Sequence, residues 1–329
     1  MKRHLFALVL VGLCLFLPGL TIECPPSNPE DPMPTVVGVM YHHWWVPSRW
    51  SHNPLNHPYE PVLGHYDNAN ENVIRQHIAW AKQYGINCFV LNFWITDWDW
   101  WWVERNTTAV ANICDQEGMT YFFLIDGWFT FEDPNVFKYS YEIAWRVNAR
   151  AAPYWSRPGY LREQGKPVVF FWASGGVDCS LWQYVRSGIE GTSGPIFMTG
   201  ERWDCFDLRM LYSPYISTAT SYQDLLDHQE HLWSTWSREG KPWAPTALPG
   251  FDDHLVREGN PVFPLDPEHF RQSVRLATHY DQHHADRKRW LFVCSWSEWH
   301  EGSQIEPAAN FADPLIFLKV LKQELDALE

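Results

Sequence analysis

The residues best placed by type and spacing to do chemistry are two glutamates, Glu298 and Glu301, in the segment Trp296-Ser-Glu-Trp-His-Glu-Gly302. Cleaving a glycosidic bond needs one carboxyl group to protonate the leaving oxygen and a second to assist at the anomeric side. On one helical turn, residues three apart hold their Cβ atoms about 5–6 Å apart on the same side. Two carboxyl groups that close repel when both are ionised. One therefore keeps its proton near neutral pH and acts as acid, while the other acts as base. A bare Glu-x-x-Glu is also a common solvated acidic turn. The neighbours Trp296, Trp299 and His300 set this one apart, because an indole face suits the apolar C–H face of a pyranose.

Such a pair needs a rigid frame. Eight apolar runs of 7 to 9 residues recur at 36–43, 87–94, 120–128, 167–173, 195–201, 210–217, 243–249 and 290–296. Several are almost wholly apolar, as strands covered on both faces should be. The spacing predicts helices over 70–84, 107–117, 221–239, 266–285 and 314–328. That alternation predicts an α/β fold, a single-domain (β/α)8 TIM barrel over 36–329. A doubly wound open sheet is the alternative, but neither G-x-G-x-x-G nor a P-loop occurs.

In this architecture, function gathers where strands end. The strand ends carry Tyr41, His42 and Trp44; Trp94; Asp126 and Trp128; Glu201; Tyr212 and Tyr215; Asp252; and Trp296, Trp299 and His300. Together they are expected to line a cleft for an oligo- or polysaccharide. The chain holds 21 Trp, and an aromatic-rich core is the competing reading of that number. Adjacent histidines on a strand point to opposite faces, so neither His42-His43 nor His283-His284 is read as a metal site. No metal and no cofactor is expected. The G-x-S-x-G elbow of a serine hydrolase is absent.

The stretch Ser297-Glu-Trp-His-Glu-Gly-Ser-Gln-Ile-Glu-Pro307 resembles the signature of glycoside hydrolase family 99 and its relatives. These include endo-α-mannosidases and a wider group described as polysaccharide-biosynthesis proteins. Tyr41-His-His-Trp-Trp45 resembles another block of that family. So do Pro61-Val-Leu-Gly-His-Tyr-Asp67 with His77 and Gly85-Ile86, and Pro249-Gly-Phe-Asp-Asp253. The resemblance covers residues 36–310. It implies a (β/α)8 barrel and retaining, metal-free hydrolysis of α-mannosidic linkages, with endo action among the outcomes. It implies that Glu298 is the base on the substrate 2-hydroxyl, giving a 1,2-anhydro sugar, and that Glu301 is acid and then base. It also puts Asp126 near a strand-3 carboxylate that contacts substrate. Ser297 stands where the family has Asn, and the loop 95–102 is unusually rich in Trp.

The bulk composition narrows the partners. A net charge of −14 over 329 residues argues against nucleic acid, which needs clustered Lys and Arg. Lys2, Arg3 and His4 precede a 13-residue apolar run ending at Leu17, too short to span a bilayer and typical of an export signal. Residues 1–23 are read as that signal and 24–35 as a Pro-rich linker. A secreted, periplasmic or cell-surface location follows. Cys24 invites a lipid anchor, but Glu23 before it fits poorly. Cys179 and Cys205 follow successive strands and could pair in an oxidising compartment. Cys88 and Cys294 read as buried thiols. Asn106-Thr-Thr108 fits an N-glycosylation sequon.

Overall fold

The structure, a computed structural model, describes residues 34–52, 59–95, 101–126, 136–202, 204–255, 257–280 and 289–328. Its strands are β1 (Val36–Tyr41), β2 (Cys88–Trp94), β3 (Thr120–Asp126), β4 (Arg162–Glu163), β5 (Lys166–Phe171), β6 (Phe197–Gly200), β7 (Leu208–Arg209), β8 (Thr246–Ala247) and β9 (Trp290–Val293). Eight run parallel in the order β7-β6-β5-β3-β2-β1-β9-β8, and β4 pairs antiparallel with β5. The two ends of this order meet. Arg209 bridges Trp243 in parallel sense, donating its N–H to Pro242 O at 3.0 Å and accepting from Ala244 N–H at 2.9 Å. The eight parallel strands are the curled sheet of a (β/α)8 arrangement. One compact unit spans Pro32–Glu329. The expected export segment, Cys24 and nearly all of the linker lie outside the described residues. No described helix is long and apolar enough to cross a membrane.

Helices α1 (Pro47–His52), α2 (Glu71–Gln83), α3 (Trp101–Glu117), α4 (Val136–Arg146), α5 (Cys179–Ser193), α6 (Tyr222–Arg238), α7 (Pro267–His279) and α8 (Ile316–Asp326) accompany the strands. Their limits follow local chemistry. The Asn70 side chain accepts from Asn72 N–H at 3.0 Å to start α2, and Gly85, at φ +86°, ends it. A capping box of Ser221 and Asp224 starts α6, and Asp266 followed by Pro267 starts α7. Each cap satisfies backbone donors that the first turn leaves open.

Four expectations need correcting. β7 lies at 208–209 rather than within 210–217: Met210 N–H makes a last bond to Gly200 O at 2.8 Å, and the chain then leaves the ladder, with Pro214 lacking an N–H. β8 occupies only two residues of the expected 243–249. α3 begins at Trp101, so two residues of the Trp-rich loop are helical; 96–100 lie outside the described residues. α4 and α5 escape the periodicity reading. α4 exposes Tyr141 and Trp145, and α5 contains Gly188 and Gly191, which weaken its helix signal.

Alternation along the strands decides which side chains reach the interior. Gly38 of β1 faces Phe292 so closely that a Cβ would lie 2.6 Å from its ring. Phe292 of β9 meets Phe122 of β3, a strand it does not pair with, at 6.0 Å between centroids. These residues mark the inward face of the lower barrel. His42, Asn92 and Asp126 follow the same parity toward the C-terminal mouth. The opposite parity faces the helices: the Tyr41 hydroxyl meets His77 Nδ1 of α2 at 2.8 Å.

Cys179 and Cys205 form a disulfide, with Cα atoms 5.3 Å apart, while Cys88, Cys114 and Cys294 are buried thiols. Closing a loop across a sequence separation of 26 restricts the unfolded chain by about 3.5 kcal/mol in the chain-entropy account. Replacing both cysteines with serine is expected to lower the melting temperature by about 5–10 °C. Calorimetry showing an unchanged transition would refute the bond.

Candidate active site

Beyond β9 the chain is tied down before it reaches the first glutamate. Ser295 N–H donates to Ser303 O at 2.7 Å, and Trp296 N–H donates to Met40 O at 2.8 Å. The Ser297 hydroxyl donates to His42 O at 2.9 Å and accepts from His42 N–H at 3.2 Å, so it stitches this segment to the end of β1. Trp45 Nε1 donates to Ser297 O at 2.8 Å. Glu298 and Glu301 do not sit on the expected helical turn. Residues 299–302 form a wider turn, closed by Ser303 N–H to Glu298 O at 3.3 Å, with Gly302 at φ +55°. That left-handed backbone favours glycine.

The turn presents both carboxyl groups to one buried environment. Glu298 is 2 % exposed; its Oε1 accepts from His300 N–H at 2.9 Å, and its Oε2 lies 3.7 Å from His42 Nε2. Glu301 is more open. Its Oε2 accepts from the Tyr212 hydroxyl at 3.1 Å, and its Oε1 from Arg257 Nη1 at 3.1 Å. The Tyr212 hydroxyl also lies 3.3 Å from His42 Nε2. His42 and Tyr212 thus bridge the two glutamates. Burial and the neighbouring Glu301 charge push the Glu298 carboxyl well above its ordinary range. Burial also raises Glu301, but Arg257 and the Tyr212 hydroxyl hold it down. Burial and mutual repulsion therefore keep the two carboxyl groups from ionising together, so the pair as a whole retains a proton more readily than a free carboxylate would. Burial, with His43 and His300 nearby, drives His42 down to about 3, so the ring is uncharged and serves as a hydrogen-bonding group.

Around the pair, Asp126 closes the β3 side. It accepts from Asn92 Nδ2 at 3.2 Å. Burial, opposed by that bond and aided by the Glu301 charge, raises its carboxyl to about 7. Trp44 stands 4.7 Å from the His42 ring and 6.0 Å from Trp94, and Arg49 lies over its indole at 5.6 Å. Arg49 also favours the ionised form of Glu298. Three buried polar atoms here have no hydrogen-bond partner among the described residues: His42 Nδ1, Trp44 Nε1 and Asn92 Oδ1.

Among the sequence candidates, His42, Trp44, Trp94, Asp126, Tyr212, His300, Glu298 and Glu301 thus gather at the mouth. Others take structural positions. Tyr41, Trp296 and Trp299 are fully buried; Tyr41 bonds His77, Trp296 packs on Phe89, and Trp299 Nε1 donates to Glu306. All three are 0 % exposed and pack behind the mouth rather than lining it. Glu201 turns its carboxylate onto Gly175 N–H at 2.9 Å and holds the turn after β5. Tyr215 stacks on Phe251 at 4.1 Å, and Asp252 binds the His254 ring and donates its N–H to Glu301 O at 2.6 Å. Tyr215 comes from the connection after β7 and Asp252 from the loop after β8, where it ties that loop to the Glu301 backbone. Trp128 lies outside the described residues.

Arg49 and Arg257 were not legible as site residues. Arg257 carries only a weak signal, its i,i+4 spacing from Asp253, which it pairs at 2.6 Å. The Asn106 sequon is also corrected: the side chain is buried and donates to His43 O at 2.7 Å, leaving no access for a glycan. The one His/Cys/Asp/Glu cluster with metal-like spacing among the described residues is Cys179, Asp204 and Cys205. Its two sulfurs are joined in the disulfide.

A profile of the family described as Glycosyltransferase WbsX matches residues 200–320, the part that carries Tyr212, Arg257 and both glutamates. No curated protein matches the chain. The fold is shared with the GH99 endo-α-mannosidase of Bacteroides thetaiotaomicron in complex with bis-tris propane. The TM-score is 0.68 at 18 % identity, over 89 % of this chain and 96 % of that one. A structure described as a glycoside hydrolase-like protein superposes with TM-score 0.64 at 18 % identity, over 89 % and 94 % of the two chains. The β-glucosidase of Thermotoga maritima reaches 0.53 at 11 % identity, over 90 % and 99 %. The chain is GH99-like in its fold.

The Asp126 shift has a measurable consequence. Its folded value of about 7 lies above the ordinary 3.8, so the folded state holds a proton that the unfolded state releases. Stability from this group is full below pH 4 and is lost as pH rises to 7. Asp126→Asn removes that slope: its melting temperature should match the parent near pH 4 and exceed it at pH 8. Parallel melting curves across this range would contradict the assignment.

Proposed function

We propose that this chain is a secreted, retaining glycoside hydrolase that cuts within α-mannosidic or related α-linked glycans. The observation that carries the reading is the Glu298–Glu301 pair, buried on one turn and bridged by His42 and Tyr212. Two acids that cannot both ionise supply one proton donor and one acceptor at the same pH. Glu301, open to the mouth, exchanges protons with the leaving oxygen and then with water. Glu298, deeper, acts on the substrate hydroxyl. The proton held by the pair stands on Glu301 when the leaving oxygen is protonated, and Tyr212 and His42 bridge the two carboxyl groups. The unpartnered His42 Nδ1, Trp44 Nε1 and Asn92 Oδ1 are suited to sugar hydroxyls, and the Trp44 and Trp94 indoles to the apolar ring face.

The α-manno preference and endo action draw on the resemblance of the 297–307 segment and on the fold shared with an endo-α-mannosidase. Export is supported by the N-terminal basic and apolar run, and the Cys179–Cys205 bond suits an oxidising compartment. The profile match at 200–320 favours a second reading, glycosyl transfer. The same pair would then hand the sugar to an acceptor hydroxyl instead of water. Incubation with α-mannan, with and without added oligosaccharide acceptors, separates the readings by whether free sugar or extended product accumulates.

Glu298→Gln and Glu301→Gln are each expected to lower kcat by about 10²–10⁴, with melting temperatures close to the parent. Full activity in either would end the proposal, and inverted product anomers by NMR would end its retaining form. Arg257→Gln removes a positive charge that favours ionised Glu301. Both limbs of the pH profile of kcat/KM should move to higher pH, since they belong to the coupled pair.

A further inference from the structure

We propose that Glu306, a residue outside the reaction centre, is the positioning residue that holds the Glu298–Glu301 turn in its working geometry. The inference rests on the hydrolase reading above. Glu306 is 2 % exposed, and three donors from three separate parts of the chain converge on it. Trp299 Nε1 donates to its Oε2 at 3.1 Å, the Tyr66 hydroxyl donates to the same oxygen at 2.7 Å, and His77 Nε2 donates to Oε1 at 3.1 Å. With Nε2–H committed, His77 Nδ1 accepts from the Tyr41 hydroxyl at 2.8 Å. Among the described residues no Lys or Arg pairs with Glu306.

The choice of a carboxylate has a reason in donor counting. Two oxygens with four acceptor sites take all three hydrogens, whereas a glutamine offers one oxygen and turns an NH₂ group toward donors. Trp299 lies between the two working glutamates, and its ring points away from the mouth into the Trp50 edge at 6.3 Å. Trp50 stacks on Trp45 at 4.0 Å, and Trp45 holds the Ser297 carbonyl. Glu306 N–H also donates to Trp296 O at 2.9 Å. The turn is therefore gripped from beneath by one indole, and that indole is anchored by one acid.

Steady-state kinetics of Glu306→Gln, Trp299→Phe and the double variant test this on any α-glycan the parent hydrolyses. Each single change should lower kcat about tenfold or more while KM stays within about twofold. Both pH limbs should hold their places, because Glu306 touches neither Glu298 nor Glu301 directly and acts through the Trp299 indole. The double variant should fall no further than the worse single one, since both changes break the same bond. Should Glu306→Gln not fold, Trp299→Phe decides. A Trp299→Phe enzyme with parental kcat, or multiplying losses in the double variant, would overturn the inference. A parent that hydrolyses nothing would defeat the functional reading alone. The crystal structure of Trp299→Phe then settles the positioning claim: a turn displaced by about 0.5 Å or more supports it, and an unmoved turn overturns it.

Discussion

Two acids that repel each other are kept side by side in a place with little water. Ionising both Glu298 and Glu301 there is strongly unfavourable, since burial and like charge act together. The surrounding structure divides the burden unequally. Arg257 and Tyr212 serve Glu301, while Glu298 has the His300 backbone N–H and the field of Arg49. The difference between the two environments turns a pair of identical side chains into a donor and an acceptor. Remove the inequality and the pair becomes a strained acidic turn.

The barrel makes this arrangement possible because its strands deliver side chains to the mouth with fixed parity. His42, Asn92 and Asp126 reach it from β1, β2 and β3, as continuations of an inward face filled lower down by Phe122 and Phe292. The tryptophans divide along similar lines. Trp45, Trp182, Trp233, Trp243, Trp296 and Trp299 are fully buried, so much of the aromatic excess belongs to the core and to satellite clusters. Trp44 and Trp94 are the described indoles beside the carboxylates.

The Glu-x-x-Glu spacing, the count of eight strands and the strand-end positions of His42 and Asp126 were legible in the sequence, because short apolar runs closed by polar residues mark strands and their ends; which of Tyr41 and His42 turns inward was not. The partners of the pair were not. Arg257 reaches Glu301 from a loop whose path no local pattern encodes, and Glu201 looks like a strand-end acid until its carboxylate is seen on Gly175. Trp299 misled for another reason. Its neighbours face the mouth, but a wide turn in place of a helical one sends its ring inward. Where side-chain direction depends on turn type, residue spacing alone is silent.

The seam between β7 and β8 bears on how such a protein diversifies. Each of these strands contributes only two ladder residues, and one bridge at Arg209 and Trp243 joins them. The connections that leave them carry Tyr212 on one side and Asp252 with Arg257 on the other. Lengthening a surface connection adds little closure entropy, and here it would disturb few ladder bonds. Selection can thus remodel this rim of the cleft, and with it the accepted glycan, while the deeply paired β1–β3 wall keeps the acids' background constant.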